Sequence, residues 1–252
     1  MKQQVFNPYL PSWEYIPDGE PYVFGDRVYV YGSHDSFGAP IFCVKDYVCW
    51  SASVTDLSDW RYEGVIYRKN KDPSNKLGIR CLYAPDVTQG PDGRYYLYYA
   101  FDFMGEMGVA VCNTPAGKYE FYGHVHFKDG HVWGKKSGEP FPFDPGILVD
   151  DDKRVYLYSG FATKVPAVAS RGRNLTNEGG VVLELEQDMI TIKSGPELLF
   201  PTKGKNGAFQ DHAFFEASSI RKVDGKYWMI YHAYPGTGYE AGSAEIGIAW
   251  CE

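Results

Sequence analysis

At 252 residues the chain is long enough to bury a large hydrophobic core, and an all-β chain of this length often forms one domain. The formal net charge of −7 argues against nucleic acid as a partner, because there is no basic stripe to contact phosphates. No apolar run is long enough to span a bilayer, and the aromatic content of 17% favours β-structure, since aromatic rings pack well on a pleated sheet.

The first predicted elements form a unit that opens with a carboxylate. Asp18 precedes two strands of alternating residues within 22–31, which are joined by a Gly-Asp turn and are typical of a β-hairpin. Two further strands are predicted at 47–54 and 60–67, separated by the polar stretch TDLSD. The unit is therefore predicted to be a four-stranded antiparallel sheet.

The same plan recurs three times along the chain. The second unit contains DVTQ, RYYLYYA, GVAVCN and KYEFYGHV, the third GILVDDDKRVYLYSG, AVAS, VVLELEQ and TIKSG, and the fourth SSIRKVDGKYWMIYHAY and EIGIAWC. A polar stretch without periodicity, residues 124–142, is predicted to be an inserted loop. No linker or block of charge divides the chain, so residues 1–252 are predicted to form a single domain.

Each unit carries a carboxylate nine to eleven residues before its aromatic strand: Asp18, Asp86, Asp144 and Glu216. Radial repetition brings equivalent positions of successive units to one axis, so these side chains are expected to meet at a single site. The pattern predicts an all-β fold, a β-propeller of four-stranded antiparallel blades. A β-sandwich is the alternative, but it does not explain why the pattern recurs.

The ring in this prediction is not complete. Three full blades and most of a fourth are visible, and an open propeller leaves two sheet edges unpaired. The prediction is therefore that the domain is incomplete at its C-terminal end, or that another copy of the chain completes it by self-association.

The cysteines predict neither a metal site nor disulfide bonds. Five cysteines form no CxxC pair and no cluster with histidine at zinc-like spacing. The odd number and an N-terminus without an apolar signal core predict a reduced, cytoplasmic protein, with a leader removed before residue 1 as the alternative. The acidic run at 150–152 lacks the EF-hand pattern and is predicted to be a solvated turn.

Four segments resemble, in the right order, the blade-opening segments of glycoside hydrolase family 43. They are PDGEPYVF with VYVYGSHD, then YAPDV, FDPGILVDDDKRVYLYSG and FFEASSIRKVDGKYWMIYH, and the resemblance covers essentially the whole chain. That family consists of five-bladed propellers that act on arabinose- and xylose-containing glycans. The resemblance therefore implies a glycan substrate and a propeller that here lacks its last blade.

The resemblance also assigns roles to three of the carboxylates. The general base falls on Asp18, a pKa-modulating aspartate on Asp144 and the general acid on Glu216. An inverting glycosidase needs one carboxylate that deprotonates water and one carboxyl that protonates the leaving oxygen, and a third carboxylate nearby favours the protonated acid by like-charge repulsion. The implied activity is that of an inverting α-L-arabinofuranosidase or β-xylosidase, and a catalytically silent glycan-binding propeller is the alternative.

Four further residues are candidates for binding the substrate. His34 is expected near the pocket, and Trp13 and Tyr83 are candidate stacking platforms for a sugar ring. The resemblance places Asp86 in the pocket, where substrate contact and a structural hydrogen bond are equally good interpretations. The expected partner is an oligo- or polysaccharide, with no nucleic acid, no membrane and no required cofactor. The family often holds a cation on its axis, but nothing in this sequence supports a structural calcium.

Overall fold

The computed structural model describes residues 8–202, 212–234 and 245–251, and in these ranges the chain is almost entirely β-structure. Three short 3-10 helices occur there, at Lys69–Lys71, Pro73–Asn75 and Asp102–Met104. None of the helices in the described ranges is long and apolar enough to cross a membrane. The strands, in chain order, are β1 (Glu20–Phe24), β2 (Arg27–Tyr31), β3 (Tyr47–Ser53), β4 (Asp56–Tyr67), β5 (Leu82–Gln89), β6 (Tyr95–Phe101), β7 (Met107–Cys112), β8 (Glu120–His124), β9 (His126–Phe127), β10 (Gly146–Val149), β11 (Val155–Ser159), β12 (Gly179–Leu185), β13 (Thr191–Pro201), β14 (Ala213–Val223), β15 (Lys226–Tyr234) and β16 (Glu245–Cys251).

These strands form four sheets that lie in a ring and make a four-blade β-propeller. The first blade contains β1 to β4 and the second β5 to β8, while the third contains β10 to β13 and the fourth β14 to β16. Consecutive strands within each blade pair antiparallel. The prediction of an all-β propeller with antiparallel blades is thus confirmed.

Two details of the third unit were predicted wrongly. The stretch 124–142, expected to be a loop, contributes β9, which pairs in parallel with β13 as a fifth strand of the third blade. The segment AVAS at 167–170, expected to be a strand, lies in turns instead. There the backbone N–H of Ala169 donates to the carbonyl of Pro166 at 2.9 Å, which is a turn bond and not a bond between strands. Pro166 has no backbone N–H to donate, so it cannot contribute one to a strand pair.

Strand β6 illustrates why the sequence of an inner blade strand is apolar and aromatic on both faces. Leu97 and Tyr99 belong to the hydrophobic cluster between the first and second blades, whereas Tyr96 and Tyr98 belong to the cluster between the second and third. Successive side chains of a strand point to opposite faces, so a strand buried on both faces shows no polar alternation. A third cluster, which includes Phe200, joins the third blade to the fourth in the same way.

In the ranges that the structure describes, polar contacts join the first and fourth blades, and no hydrophobic cluster there includes residues of both. The Arg221 guanidinium of β14 donates to the Glu20 carboxylate of β1 at 2.5 Å and lies 3.9 Å from the ring centroid of Tyr22. The Ser219 hydroxyl donates to the same carboxylate at 3.0 Å. Arg221 therefore links the two ends of the ring near its axis.

The outer part of the fourth blade is less covered than its inner strand. In the described ranges β16 is the edge strand of its sheet, and its side chains Ile246, Ile248 and Trp250 are exposed. Unpaired edges with apolar side chains are sites where strands from other chains can add. The predicted self-association stays a prediction.

Replacing Arg221 with glutamine is expected to lower the free energy of unfolding by about 2 kcal/mol, because it leaves the partly buried Glu20 carboxylate without its cation. The matched control is Arg154→Gln, which removes an exposed pair with Asp152 and is expected to leave the urea midpoint unchanged. Urea unfolding followed by tyrosine and tryptophan fluorescence measures both variants. Equal midpoints for Arg221→Gln and the wild type would contradict the assignment of Arg221 as the closing contact.

Candidate active site

The openings of the blades converge on a cavity of about 580 Å³. Asp18, Asp144 and Glu216, which come from the first, third and fourth units, all line it. A second cavity of about 360 Å³ also contains Asp18 and Asp144 and extends along the propeller axis to Arg221. The fold therefore brings together three carboxylates that are far apart in the sequence.

The backbone at these openings adopts a conformation that is rare for residues other than glycine. Asp18 and Asp144 have φ values of 55° and 45°, and Ala217, directly after Glu216, has a φ of 61°. Left-handed backbone costs free energy for residues with a Cβ, and such positions cluster at functional sites. Aspartate tolerates this conformation better than most residues, so the turn and the carboxylate suit each other at Asp18 and Asp144.

Hydrogen bonds hold two of the carboxylates in place. The Ser33 hydroxyl donates to Oδ2 of Asp18 at 2.7 Å, which ties the opening of β1 to the segment after β2. The backbone N–H of Ala217 donates to Oδ2 of Asp144 at 3.1 Å. The second bond links the third blade to the residue beside Glu216, so the position of Glu216 depends on Asp144.

The carboxylates also interact through their charges. Burial raises the pKa of Asp144 well above its ordinary value, and the negative charges of Glu216 and Asp18 raise it further. Neighbouring carboxyls of this kind cannot all ionise readily, so Asp144 retains a proton at pH values where an isolated aspartate would lose it. The cavity therefore holds at least one carboxyl that stays protonated when exposed carboxyls are ionised.

Aromatic side chains form much of the cavity wall. Tyr83 lines it, with its ring centroid 5.6 Å from that of Phe42 in an edge-on arrangement and 5.4 Å from that of Phe143, and its role as a stacking platform stays a prediction. Phe161 and Phe215 complete this wall. Phe143 and Phe215 directly precede two of the acids, a signal in the sequence that could have identified them as wall residues.

His34 lies beside the cavity rather than in its wall. Its Nδ1 is 2.8 Å from the carbonyl of Asp46 and its Nε2 is 2.9 Å from the Glu14 carboxylate, so both ring nitrogens are engaged within the protein. The neighbouring Asp35 lines the cavity instead. Alternation along an extended segment explains the difference, because adjacent side chains point in opposite directions.

Trp13 and Asp86 are placed away from the cavity. Trp13 is 63% exposed and packs near Trp50, and it is not among the described residues that line either cavity, so its role as a stacking platform stays a prediction. Asp86 is fully buried and accepts hydrogen bonds from the backbone N–H groups of Ile147 and Val87 at 2.7 and 2.8 Å. The contact with Ile147, which joins the second blade to the third, favours the structural interpretation of Asp86.

Asp86 also has an unusual protonation state for a structural carboxyl. Burial, followed by the charge of Glu20, raises its pKa to about 7. The proton is thus held in the folded protein at pH values where an exposed aspartate would be ionised. Because its pKa is raised in the folded state, protonation of Asp86 contributes to the stability of the fold at acidic pH, and this contribution is lost as the pH rises through about 7.

The part of the chain that the structure describes contains no group of three or more histidine, cysteine, aspartate or glutamate side chains arranged to hold a metal ion. The structural calcium considered from the resemblance stays untested. The described cysteines, Cys43, Cys49, Cys81, Cys112 and Cys251, are free thiols.

Comparisons with known proteins identify the family to which this chain is related. Residues 15–249 match the model of the glycosyl hydrolases family 43. A xylosidase/arabinosidase of Thermoclostridium stercorarium is 54% identical over 233 residues, which are 92% of this chain and 47% of the relative, so this chain spans about half the length of that protein. Xylosidase/arabinosidase 43A of Humicola insolens is 27% identical over 255 residues, covering 86% of this chain and 72% of the relative.

A solved structure gives the same result for the fold. The α-L-arabinofuranosidase of Clostridium thermocellum superposes with a TM-score of 0.63 at 25% identity, covering 92% of this chain and 68% of that one. The sequence match over nearly the whole chain and the shared propeller fold indicate the same family. The chain belongs to glycosyl hydrolase family 43.

Proposed function

We propose that this chain is an inverting glycoside hydrolase that acts on arabinose- or xylose-containing plant glycans, as an α-L-arabinofuranosidase or β-xylosidase. The observation that carries the proposal is the convergence of Asp18, Asp144 and Glu216 in one cavity with an aromatic wall. The xylosidase/arabinosidase name of the relative at 54% identity supports a pentose substrate.

In the proposed mechanism Asp18 is the general base. It removes a proton from a water molecule as the water attacks the anomeric carbon from the face opposite the leaving group. The hydrogen bond from Ser33 fixes the orientation of Asp18. The proton that leaves the water ends on Asp18.

Glu216 is the general acid in this mechanism. It donates its proton to the glycosidic oxygen as the bond to the anomeric carbon breaks, so the leaving group departs as a neutral alcohol. Asp144 keeps Glu216 oriented through the N–H of Ala217. The sugar product has the inverted anomeric configuration, because water displaces the leaving group from the anomeric carbon in a single step.

The aromatic wall suits a sugar ring in this position. Sugar rings have apolar faces of C–H groups, and aromatic side chains such as Tyr83 and Phe161 bury them without competing for hydrogen bonds. Asp35, on the wall next to Asp18, offers a polar group that can bind a sugar hydroxyl. A binding protein would need the same wall but not three mutually repelling carboxylates, which is why the hydrolytic function is favoured over glycan binding alone.

The stereochemistry of the first product tests the proposal. The wild-type protein is incubated with 4-nitrophenyl β-D-xylopyranoside or α-L-arabinofuranoside, and proton NMR follows the anomer that forms before mutarotation. Inversion predicts α-xylose from the xyloside and β-arabinose from the arabinofuranoside. Retained configuration would contradict the mechanism, and binding of arabinoxylan without any hydrolysis would support the glycan-binding alternative.

A further inference from the structure

His232 stands directly opposite Glu216 in the fourth blade. The two residues are partners in the antiparallel register of β14 and β15, and Nδ1 of His232 is 3.7 Å from Oε1 of Glu216. His232 also lines the axial cavity that contains Asp18 and Asp144. An ionisable ring therefore lies beside the proposed general acid, at a position that the mechanism above does not use.

The charges around His232 favour its protonated form. Glu216 faces it from β14, while Asp18 and Asp144 face the same cavity from the first and third blades. On β16 the register partner of His232 is Ile246, and the neighbouring Glu245 pairs with His212 instead. Among the described residues that line this cavity, Arg221 carries a positive charge, and its guanidinium is engaged by Glu20.

The contact with Glu216 raises the pKa of His232 above its ordinary value, burial opposes this, and the charges of Glu216 and Asp18 add to the increase. The imidazolium is accordingly present over part of the neutral pH range. A cation this close to a carboxyl favours the ionised carboxylate, because each charge stabilises the other.

We propose that His232 is a positioning residue that holds the Glu216 carboxyl and sets the alkaline limit of hydrolysis. The inference rests on the proposed role of Glu216 as general acid. An imidazolium beside Glu216 promotes loss of the proton that catalysis needs, so activity falls at a lower pH than it would without His232. The side chain is 44% exposed, so solvent weakens the coupling and a shift of about 0.5 to 1 pH unit is expected.

The first test compares pH profiles of kcat/KM for His232→Asn, the wild type and a control. His212→Asn is the matched control, since His212 forms a comparable pair with Glu245 at 3.8 Å but lines neither cavity. His232→Asn is expected to move the alkaline limb up by about 0.5 to 1 pH unit and to change kcat more than KM. The control is expected to follow the wild type. Superimposable limbs for His232→Asn and the wild type would overturn the proposal.

The second test does not depend on activity. Proton–carbon NMR of the histidine rings follows the titration of His232, whose signal is assigned by its loss in His232→Asn. In Glu216→Gln the midpoint of His232 is expected to fall by at least about 0.5 pH unit, because the partner charge is gone. An unchanged midpoint would overturn the proposal even if His232→Asn is inactive. Full hydrolysis by Glu216→Gln, in contrast, would refute the proposed function while leaving this coupling measurable.

Discussion

Glu216→Gln is expected to lower kcat/KM for a xylo- or arabino-disaccharide by about 10² to 10⁴-fold, because the amide has no proton to give to the sugar leaving group. The same variant should lose much less activity on a 2,4-dinitrophenyl glycoside, whose leaving group departs without protonation. The measurement is kcat/KM on both substrates at the pH optimum.

The control for this substitution is Glu120→Gln, since Glu120 is exposed and pairs with Lys71 far from the cavity. It should retain wild-type kcat/KM on both substrates. A Glu216→Gln protein that loses the same factor on both substrates would show that Glu216 does not act on the leaving group. In that case the acid would have to be sought elsewhere, with Asp144, which lines the same cavity, as the next candidate.

Asp18→Asn is expected to lower kcat/KM by a similar factor, about 10² to 10⁴-fold, but equally for the disaccharide and the dinitrophenyl glycoside. The reason is that the base acts on the attacking water, and every substrate needs that water whatever its leaving group. The substitution preserves the hydrogen bond from Ser33, since the amide oxygen accepts it as the carboxylate does.

Asp152→Asn serves as the control, because Asp152 is an exposed turn residue paired with Arg154. It is expected to leave both rates unchanged. A leaving-group dependence in Asp18→Asn would argue that Asp18 and Glu216 have exchanged roles, and wild-type rates would remove Asp18 from the mechanism. Together the two variants distinguish the base from the acid by kinetics alone, without a structure of the protein with bound substrate.

The position of the acids in the fold explains how the three carboxylates of the proposed mechanism come together in one chain. Asp18, Asp144 and Glu216 lie at the openings of the first, third and fourth blades, and the closing contact between Arg221 and Glu20 lies on the same axis. The exposed side chains of β16 lie outside this centre. The positions of the three carboxylates therefore depend on the inner parts of the blades. The exposed apolar side chains of β16 bear instead on stability and on association with other chains.

Much of this arrangement could be predicted from the sequence because its cause is local and repeated. A turn followed by an aromatic strand recurs at regular intervals, and strands such as β6 show the continuous aromatic pattern of burial on both faces. Where a local signal was ambiguous the prediction failed: AVAS has the composition of a short strand, but its backbone bonds to Pro166 in a turn.

The candidate site likewise has features that the sequence pattern predicts and features that depend on contacts between blades. The sequence predicted the propeller and a carboxylate at the opening of each of the four units, because both follow from the periodicity of the chain, whereas the choice of Asp18, Asp144 and Glu216 as the reacting set came from the family resemblance. Only the tertiary structure decided that Asp35 rather than His34 faces the cavity, that Asp86 is buried, and that His232 lies beside Glu216. Those outcomes depend on strand register and on contacts between blades, which join residues far apart in the chain and leave no periodic trace in its sequence.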